Sequence, residues 1–375
     1  MNPHILIFSP DYFPYVGGAE IAVRELCERL PEFDFTLITS RNDRHLPREE
    51  LIGRVRVIRV GFGIRRIDRY VMTLPAFWAA CVIHRVRPCA LAWGIMANAA
   101  SFAAMLFARL HAGVPYLLTV QEGDAELMYA RYFRFFPQLY RLLYVRADHV
   151  HVISRYLERW VRRMGYSGKI SLIPNGVDAR FFAAGASHPS ASEMPWNIVT
   201  ACRLVPVKGV ADLLSAIALL RHDRGRDVRL AIAGDGPLRG DLERQACRLD
   251  IGDIVSFLGH CEHDRLPRVL AAADIFVLPS LFEGLGNSFL EAMAAGIPIV
   301  GTPVGGIPDF LIDGRTGLFC RTGIPDSIAD AIERLMTDPL LRLTVVAGAR
   351  AAIAETYDWD VVVPAVRRMI ASSVQ

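Results

Sequence analysis

The chain has 375 residues, 52% of them hydrophobic, and its formal net charge is only +3. This length exceeds one ordinary core and suits two domains of about 180 residues each, which excludes a single small module. The seven cysteines are odd in number and scattered without a C-x-x-C pair, which favours a reducing compartment.

The first part of the chain alternates short apolar runs with helix-length segments. It opens on the run HILIFS without the basic start and long apolar stretch of a secretory signal, so we expect a cytoplasmic protein. Residues 89–108 carry no charge, but a break at residues 96–98 favours a strand and a buried helix over a membrane span. The βαβ rhythm predicts a parallel sheet with helices on both faces over residues 1–182.

Two loops that follow predicted strands of this domain are candidates for ligand contacts. Gly17 and Gly18 follow the first strand, where a Gly-Gly loop lets a phosphate or an acceptor approach the backbone, with a structural turn as the alternative. Gln121, Glu122 and Asp124 follow the strand YLLTV and offer hydrogen bonds to a sugar.

Positive charge is concentrated in the first half of the chain. Residues 1–180 hold 24 Arg and Lys against 16 Asp and Glu, which predicts an anionic partner, either a membrane surface or a phosphorylated acceptor. Residues 129–146 mix seven aromatic residues with four arginines, which is typical of contact with an anionic bilayer, with ordinary packing as the alternative. No zinc-finger, helix-turn-helix or RNA-binding signature accompanies these arginines, so nucleic acid is not expected as a partner.

A second domain follows a predicted linker. Residues 183–192 are small, polar and proline-containing, as in a linker. A further series of strands and helices covers residues 193–356, and a last helix covers residues 357–375. Parallel sheets of this type bind ligands at the carboxyl ends of their strands. We therefore expect an α/β protein of two Rossmann-like, doubly wound domains that face each other across a cleft.

Arg203 and Lys208 follow the first strand of the second domain. Together they suit a diphosphate, although each alone is more often a solvated charge. The chain contains 40 arginines but only two lysines, Lys169 and Lys208, which favours a specific need for a compact ammonium at this position. Gly234 begins a tight G-D-G-P turn after another strand, and its spacing does not fit a dinucleotide fingerprint.

The strongest motif is the segment 283–291, EGLGNSFLE. Gly284 and Gly286 let backbone N–H groups approach a phosphate, and a helix predicted to start near Asn287 adds its positive end. Glu283 precedes the turn and Glu291 lies about one helical turn later, so the two carboxylates can hold different hydroxyl groups of one ligand. A glycine turn with a surface glutamate is the alternative.

Two groups that resemble metal sites are interpreted otherwise. His260, Cys261 and His263 lie too close together in the sequence for a usual ligand set, and they are expected to be loop residues. The sequence Asp358-Trp359-Asp360 precedes a last helix and is expected to cap it. We expect no metal and no cofactor.

Taken together, these motifs resemble the large family of retaining GT-B glycosyltransferases of family four, which includes mannosyl- and glucosyltransferases of bacterial lipid and polysaccharide biosynthesis. The likeness extends over nearly the whole chain. The motifs that carry it are the Gly-Gly loop at 17–18, PNGVD at 174–178, Arg203 with Lys208, GDGP at 234–237, the two glutamates 283 and 291, and Trp359 near the carboxyl terminus.

The resemblance implies a role for each matching residue. Arg203 and Lys208 would bind the donor diphosphate, Glu283 the transferred sugar and Glu291 the ribose. The backbone from Gly284 through Leu285, Gly286 and Asn287 to Ser288 would cover sugar and phosphate, with Asn175 lining the cleft. Many members have a histidine where this chain has Gln121, which shifts attention to Glu122 and Asp124 as sugar or acceptor contacts.

The resemblance also implies a reaction. It is the transfer of a hexose, with retention and without metal, from a nucleotide diphosphate sugar to a sugar or lipid-linked acceptor. We expect a UDP-sugar donor and a peripheral position on the inner face of the cytoplasmic membrane. The alternatives are a sugar nucleotide epimerase of the same fold and a non-catalytic carbohydrate-binding protein.

Overall fold

The structure, a computed structural model, describes residues 2–122, 137–183 and 195–374. The chain divides into two compact units. The first comprises residues up to Asn175 together with those from Val362 onward, and the second is Gly176–Val361.

The first unit is built on an eight-stranded sheet with the order β3-β4-β2-β1-β5-β6-β7-β8. All neighbouring strands are parallel except β3 and β4. The strands are β1 (His4–Phe8), β2 (Asp34–Ser40), β3 (Glu49–Ile52), β4 (Val55–Val60), β5 (Leu91–Ile95), β6 (Tyr116–Val120), β7 (His149–Val152) and β8 (Lys169–Leu172). The helices are α1 (Gly18–Arg29), α2 (Arg65–Val71), α3 (Thr73–Val86), α4 (Ala99–Leu110), α5 (Pro137–Val145) and α6 (Arg155–Arg163).

The second unit holds a six-stranded, entirely parallel sheet with the order β11-β10-β9-β12-β13-β14. The strands are β9 (Trp196–Ala201), β10 (Val228–Ala233), β11 (Val255–Gly259), β12 (Ile275–Leu278), β13 (Ile299–Gly301) and β14 (Leu318–Phe319). The helices are α7 (Ala179–Ala183), α8 (Val210–Ala218), α9 (Arg239–Arg248), α10 (Leu266–Ala271), α11 (Asn287–Ala295), α12 (Pro325–Thr337), α13 (Pro339–Ala352) and, shared with the first unit, α14 (Trp359–Val374). The predicted pair of doubly wound α/β domains is confirmed.

The boundary between the units lies before α7, whereas the sequence places it after residue 182. Phe182 is buried and its ring packs on His263, 5.5 Å between centroids, so α7 belongs to the core of the second unit. Residues 184–192 of the predicted linker lie outside the described residues.

The strand order creates a topological switch point in each sheet. In the first unit the order reverses between β1 and β5, and in the second between β9 and β12. Loops diverge at such a point, which leaves a crevice at the carboxyl ends of the two strands. The motifs after β1, β9 and β12 therefore lie at the edges where such sheets bind ligands.

Two segments with an unusual composition have ordinary structures where they are described. Residues 89–108 form β5 and most of α4, as predicted, and no helix within the described ranges is long and apolar enough to cross a membrane. Pro137 starts α5, whose Tyr140 and Tyr144 are buried with their hydroxyl oxygens 2.8 Å apart. Residues 129–136 of the aromatic segment lie outside the described residues.

Candidate active site

An ion pair joins two loops at the carboxyl-terminal edge of the second sheet. The ammonium of Lys208 donates to Oε1 of Glu283 at 2.5 Å. Lys208 ends a short turn after β9, and Glu283 lies between β12 and α11, so the pair spans the switch point. The Glu283 side chain is only 7% exposed, which strengthens the electrostatic attraction. Two residues that the sequence singled out are thus in direct contact.

The backbones of the two loops hold this pair together. The N–H of Leu281 donates to the carbonyl oxygen of Val207 at 2.7 Å. Gly209 has φ +66°, and a Cβ at this position would lie 2.1 Å from the carbonyl oxygen of Pro279. Glycine is needed for both the left-handed backbone and the close approach. The turn that carries Lys208 is therefore fixed against the loop that leads to Glu283.

Glu283 is oriented by further contacts. The hydroxyl of Ser280 donates to the same Oε1 at 2.9 Å, and the Thr302 hydroxyl donates to the carbonyl oxygen of Ser280 at 2.5 Å. The N–H of Gly306 donates to the Glu283 carbonyl oxygen at 3.2 Å. Gly305 has φ +57°, and a Cβ there would lie 1.7 Å from that oxygen. Lys208 and Ser280 thus hold the Glu283 carboxylate, and the Gly305-Gly306 turn holds its backbone.

Arg203 lies exposed on the loop after β9, three residues before the turn that contains Lys208. Gly234 packs under this loop, since a Cβ there would lie 1.8 Å from the Cys202 carbonyl oxygen. The N–H of Gly234 donates to the carbonyl oxygen of Gly259 at 2.8 Å, so this N–H is already engaged. Gly234 thus supports the Arg203 loop, and its contact with a donor stays a prediction.

The thiol of Cys202 lies in the same region as Lys208 and Glu283. Burial raises the pKa of Cys202 to about 12. The nearby Lys208 ammonium lowers this pKa but offsets only part of the effect of burial. The group therefore remains a neutral thiol near neutral pH, which argues against Cys202 as a nucleophile.

The helix α11 begins at Asn287, as the sequence predicts. Gly286 precedes it with φ +98°, a left-handed conformation that favours glycine. Gly284 and Leu285 are buried in the preceding turn, and Ser288 is half-buried in the first helical turn. The first N–H groups of a helix and its positive end favour an anion at this position.

Glu291 lies one turn into α11 and has an aromatic neighbourhood. Its Oε1 is 3.8 Å from Nε2 of His263, and the His263 ring is stacked on Phe181, with centroids 5.6 Å apart and planes at 8°. The Glu291 side chain is 15% exposed, and burial raises its pKa to about 7. A carboxylate that changes charge near neutral pH is typical of functional sites.

The loop after β1 in the first unit is closed by a capping box. The N–H of Gly17 donates to Oε2 of Glu20 at 2.7 Å, at the amino end of α1, which begins at Gly18. Burial raises the pKa of Glu20, and the hydrogen bonds from backbone N–H groups offset only part of this shift. The Gly17 N–H is therefore occupied, and a role of Gly17 and Gly18 in ligand binding stays a prediction.

The residues after β6 connect neighbouring loops of the first unit. Glu122 accepts hydrogen bonds from the backbone N–H of Ala97 through Oε1 and of Gln121 through Oε2. The Gln121 amide oxygen accepts a hydrogen bond from Nδ2 of Asn175 at 3.1 Å. Gln121, Glu122 and Asn175 thus belong to one network, whereas Asp124 lies outside the described residues.

The segment before α14 has the predicted capping role. Asp358 accepts a hydrogen bond from the N–H of Asp360 at 2.8 Å, which confirms that this sequence caps α14. Within residues 2–122, 137–183 and 195–374, no group of three or more His, Cys, Asp or Glu side chains is arranged to hold a metal ion.

Sequence reasoning missed two features of the site. The sequence pattern indicates His263 only as a metal alternative, whereas in the structure its ring stacks on Phe181 of α7 in the same unit. The Gly305-Gly306 pair follows β13 in the same way that Gly17-Gly18 follows β1. That repeated pattern of strand, loop and glycine pair was the available signal.

Two family models match the chain in sequence. The model described as Glycosyltransferase Family 4 matches residues 16–181, and the model described as Glycosyl transferases group 1 matches residues 187–352. The two matches are consecutive and together include most of the chain.

Curated relatives that resemble this chain are also glycosyltransferases. A GDP-mannose-dependent monoacylated phosphatidylinositol monomannoside mannosyltransferase of Corynebacterium glutamicum is 32% identical over 60% of this chain and 62% of its own length. A glycogen synthase of Mycobacterium tuberculosis is 33% identical over 52% of this chain and 47% of its own length. The aligned part of this chain thus spans about half to three fifths of these relatives.

Solved structures share the fold over the full length. A sucrose-phosphate synthase from Thermosynechococcus elongatus has a TM-score of 0.87 at 23% identity and covers 100% of both chains. Anabaena HepE, solved in complex with UDP and glucose, has a TM-score of 0.79 at 20% identity and covers 99% of this chain and 100% of its own. Both likenesses show that the chain has the GT-B fold, which consists of two Rossmann-like domains.

Proposed function

Because the chain belongs to the family-four, group-1 glycosyltransferases, we propose that it transfers a hexose from a nucleoside diphosphate sugar to a sugar or lipid-linked acceptor. The observation that carries this proposal is the ion pair of Lys208 with Glu283 at the switch point of the second sheet. A cation for a diphosphate and a carboxylate for a sugar meet there beside the amino end of α11.

The chemical step needs stabilisation of charge on the leaving group. The bond between the anomeric carbon and the diphosphate oxygen breaks, and both electrons go to that oxygen. The acceptor hydroxyl forms the new bond on the same face of the sugar, and its proton goes to the leaving diphosphate. The configuration at the anomeric carbon is therefore retained.

The residues around the switch point suit these demands. Lys208 and Arg203 neutralise the diphosphate as negative charge develops on it, and the amino end of α11 adds further positive potential. Glu283 lies beside the sugar, where positive charge develops at the anomeric carbon. Two cations and a helix dipole supply electrostatic stabilisation of the kind that other enzymes obtain from a metal ion.

Glu291 is proposed to bind the ribose. It lies one helical turn beyond the amino end of α11, so a diphosphate at that end leaves the nucleoside near Glu291. In its ionised form the carboxylate accepts hydrogen bonds from two hydroxyl groups. The identities of relatives support a UDP- or GDP-hexose as donor, since HepE was solved with UDP and the mannosyltransferase is named as GDP-mannose-dependent.

The acceptor is proposed to be lipid-linked or part of a polysaccharide, at the inner face of the cytoplasmic membrane. The support is the name of the phosphatidylinositol-mannoside relative and the excess of positive charge in residues 1–180. An anionic lipid surface attracts such an excess.

Thermal denaturation with UDP, GDP and ADP tests the donor assignment. A ligand at a hundred times its Kd stabilises the native state by about 2.7 kcal/mol, which raises Tm measurably. We expect one nucleotide to stabilise the wild-type protein and to lose that effect in Lys208→Ala. Equal Tm values with and without all three nucleotides would contradict the proposal.

A further inference from the structure

A group of large apolar side chains lies exposed on α2, α3 and the loop before them. Phe62 is 66% exposed, and Leu74 and Trp78 are each 63% exposed. Large exposed apolar side chains that are concentrated in one region of a domain often mark an interaction site. We call this the α2–α3 surface, and its members are Phe62, Ile64, Ile67, Tyr70, Val71, Leu74, Trp78 and Val82.

The spacing on α3 places three of these residues along one side of the helix. Leu74, Trp78 and Val82 follow one another at intervals of four residues. The opposite side of the same helix is also apolar, since Ala76, Ala80 and other residues there are buried in the domain. A helix that is apolar on all sides is normally surrounded by apolar material. Here the domain covers only one side.

The loop before α2 is built to keep its apolar residues exposed. The Asp68 carboxylate is fully buried and accepts hydrogen bonds from the N–H groups of Phe62, Gly63 and Ile64 at 2.8, 2.7 and 3.0 Å. Gly63 has φ +80°, which favours glycine. Three hydrogen bonds to one carboxylate hold the loop in a single shape. Phe62 is therefore presented to the solvent by a rigid loop.

The charges around this surface are mostly positive, although two of its arginines are already in ion pairs, Arg69 with Asp11 and Arg87 with Asp34. Residues 61–90 contain five arginines and a single acid, Asp68, which is fully buried. Arg65 lies over the ring of Tyr15, 4.7 Å from its centroid, and is exposed beside Ile64 and Ile67. Apolar residues flanked by arginine heads match the boundary between acyl chains and anionic headgroups.

We propose that the α2–α3 surface docks the protein on an anionic lipid bilayer, with Phe62, Leu74 and Trp78 inserted among the acyl chains and the arginines at the headgroups. The inference rests on the proposed function in one respect only: docking is useful to the enzyme because a lipid-linked acceptor lies in the bilayer. The docking itself needs no sugar transfer.

A second copy of the chain is the other occupant that such a surface could accept. In a two-fold dimer the same patch meets itself, so the exposed side chains of Arg65 and Arg85 would face their counterparts, while Asp11 and Asp34 are engaged by Arg69 and Arg87. Like charges in that arrangement repel, whereas anionic lipid attracts them. The charge pattern therefore favours lipid.

Tryptophan fluorescence gives a direct readout. The chain has five tryptophans, and all of them except Trp78 are at most 8% exposed: Trp93, Trp160, Trp196 and Trp359. We expect vesicles of phosphatidylcholine with phosphatidylglycerol to shift the emission to shorter wavelength and to protect it from iodide. Trp78→Phe should lose the emission shift while the protein still floats with the vesicles. Wild-type protein that neither floats nor shifts its emission at low salt would overturn the proposal.

Matched substitutions distinguish insertion of the α2–α3 surface from nonspecific adsorption of the protein to vesicles. Leu74→Ser and Trp78→Ser should each lower vesicle affinity about tenfold or more, because each removes a large apolar side chain from the acyl region. Leu343→Ser, at a residue that is 69% exposed on α13, is the control and should bind as the wild type does. Circular dichroism and Tm verify that each variant is folded. Equal affinity of all three variants and the wild type would overturn the proposal.

Two further measurements separate this inference from the proposed function. Lys208→Ala should float as the wild type does even though it transfers no sugar, so a failure of the proposed function leaves docking intact. Analytical ultracentrifugation should show the same mass for the wild type and Trp78→Ser. Self-association that disappears in Trp78→Ser, without vesicle binding, would show that a second copy covers the surface and would overturn the lipid assignment.

Discussion

Lys208 and Glu283 are 75 residues apart in the chain, yet the ammonium of one donates to the carboxylate of the other at 2.5 Å. The residue proposed to bind the diphosphate is therefore held by the residue proposed to bind the sugar. A bound diphosphate must share or replace Glu283 as the partner of Lys208. Substitutions at the two residues should therefore have different effects on nucleotide affinity and on kcat.

Lys208→Arg should lose activity although it keeps the positive charge. The ammonium is a compact group that fits against Oε1 of Glu283, to which Ser280 also donates, and the planar guanidinium is larger. We expect kcat to fall about tenfold or more in steady-state transfer assays. Arg203→Lys, at an exposed position, is the comparison and should be milder. A Lys208→Arg enzyme with more than about half of the wild-type kcat would refute the need for an ammonium.

Glu283→Gln should separate binding from catalysis. The change removes the negative charge that competes with a diphosphate for Lys208, so nucleoside diphosphate affinity should stay equal or become tighter. It also removes the charge beside the anomeric carbon, so kcat should fall by about a hundredfold. Calorimetry and steady-state kinetics measure the two effects. Nucleotide affinity that falls in parallel with kcat would argue that Glu283 binds the nucleotide itself.

Glu291 should make the stability of the protein depend on pH. Burial raises its pKa from 4.5 to about 7, so between these values the native state binds a proton that the unfolded chain has released. The free energy of unfolding therefore falls as the pH rises through this window. Glu291→Gln cannot titrate, so its stability relative to the wild type should rise by about 3 kcal/mol across the window.

Denaturant unfolding at several pH values measures this difference, and His263→Gln is the control. Because burial is the cause of the shift, the pH dependence should persist when the imidazole 3.8 Å away is removed. Parallel stability curves for the wild type and Glu291→Gln would show that the Glu291 pKa is ordinary.

The same titration should appear in nucleotide binding. An ionised Glu291 accepts hydrogen bonds from ribose hydroxyls, so the affinity of the wild type should increase as the pH rises through about 7. The nucleotide itself also titrates, which affects every variant alike. We therefore expect the increase to be smaller in Glu291→Gln when calorimetric Kd values are compared. An identical pH dependence in both proteins would remove Glu291 from the ribose site.

Gly305→Ala should destabilise the loop that supports Glu283. A Cβ at Gly305 would lie 1.7 Å from the Glu283 carbonyl oxygen, whereas at Gly314 it would meet nothing within 4 Å, and both residues have positive φ. Gly314→Ala therefore measures the backbone strain alone, about 1 kcal/mol. We expect Gly305→Ala to lower the free energy of unfolding by more than that. If both variants lose the same free energy of unfolding, the loop accommodates the added Cβ without a measurable loss of stability.

Local patterns predict the elements of this fold well, and contacts between distant segments much less so. The run HILIFS and the EGLGNSFLE segment appear in the structure as β1 and as the turn before α11, because strand periodicity and glycine turns are properties of neighbouring residues. The contact between Val207 and Leu281 joins segments brought together by the strand order, which no local pattern specifies.

The same distinction applies to the site. The scarcity of lysine points to Lys208, but its pairing with Glu283 follows from the adjacency of β9 and β12. The stacking of His263 on Phe181 depends on the packing of α7 within the second unit, whereas the predicted boundary at residue 182 assigns Phe181 to the first domain. Exposed apolar residues such as Trp78 are likewise invisible in a sequence, where an apolar helix is first interpreted as core.

The most direct test of the proposed function is sugar transfer itself, with the product followed by NMR. UDP- and GDP-hexoses are incubated with the enzyme and with sugar or lipid-linked acceptors, and both nucleoside diphosphate release and the configuration of the new bond are measured. We expect acceptor-dependent release by the wild type, a product with the anomeric configuration of the donor, and background rates in Lys208→Ala. An inverted product, or release by Lys208→Ala at the wild-type rate, would contradict the account.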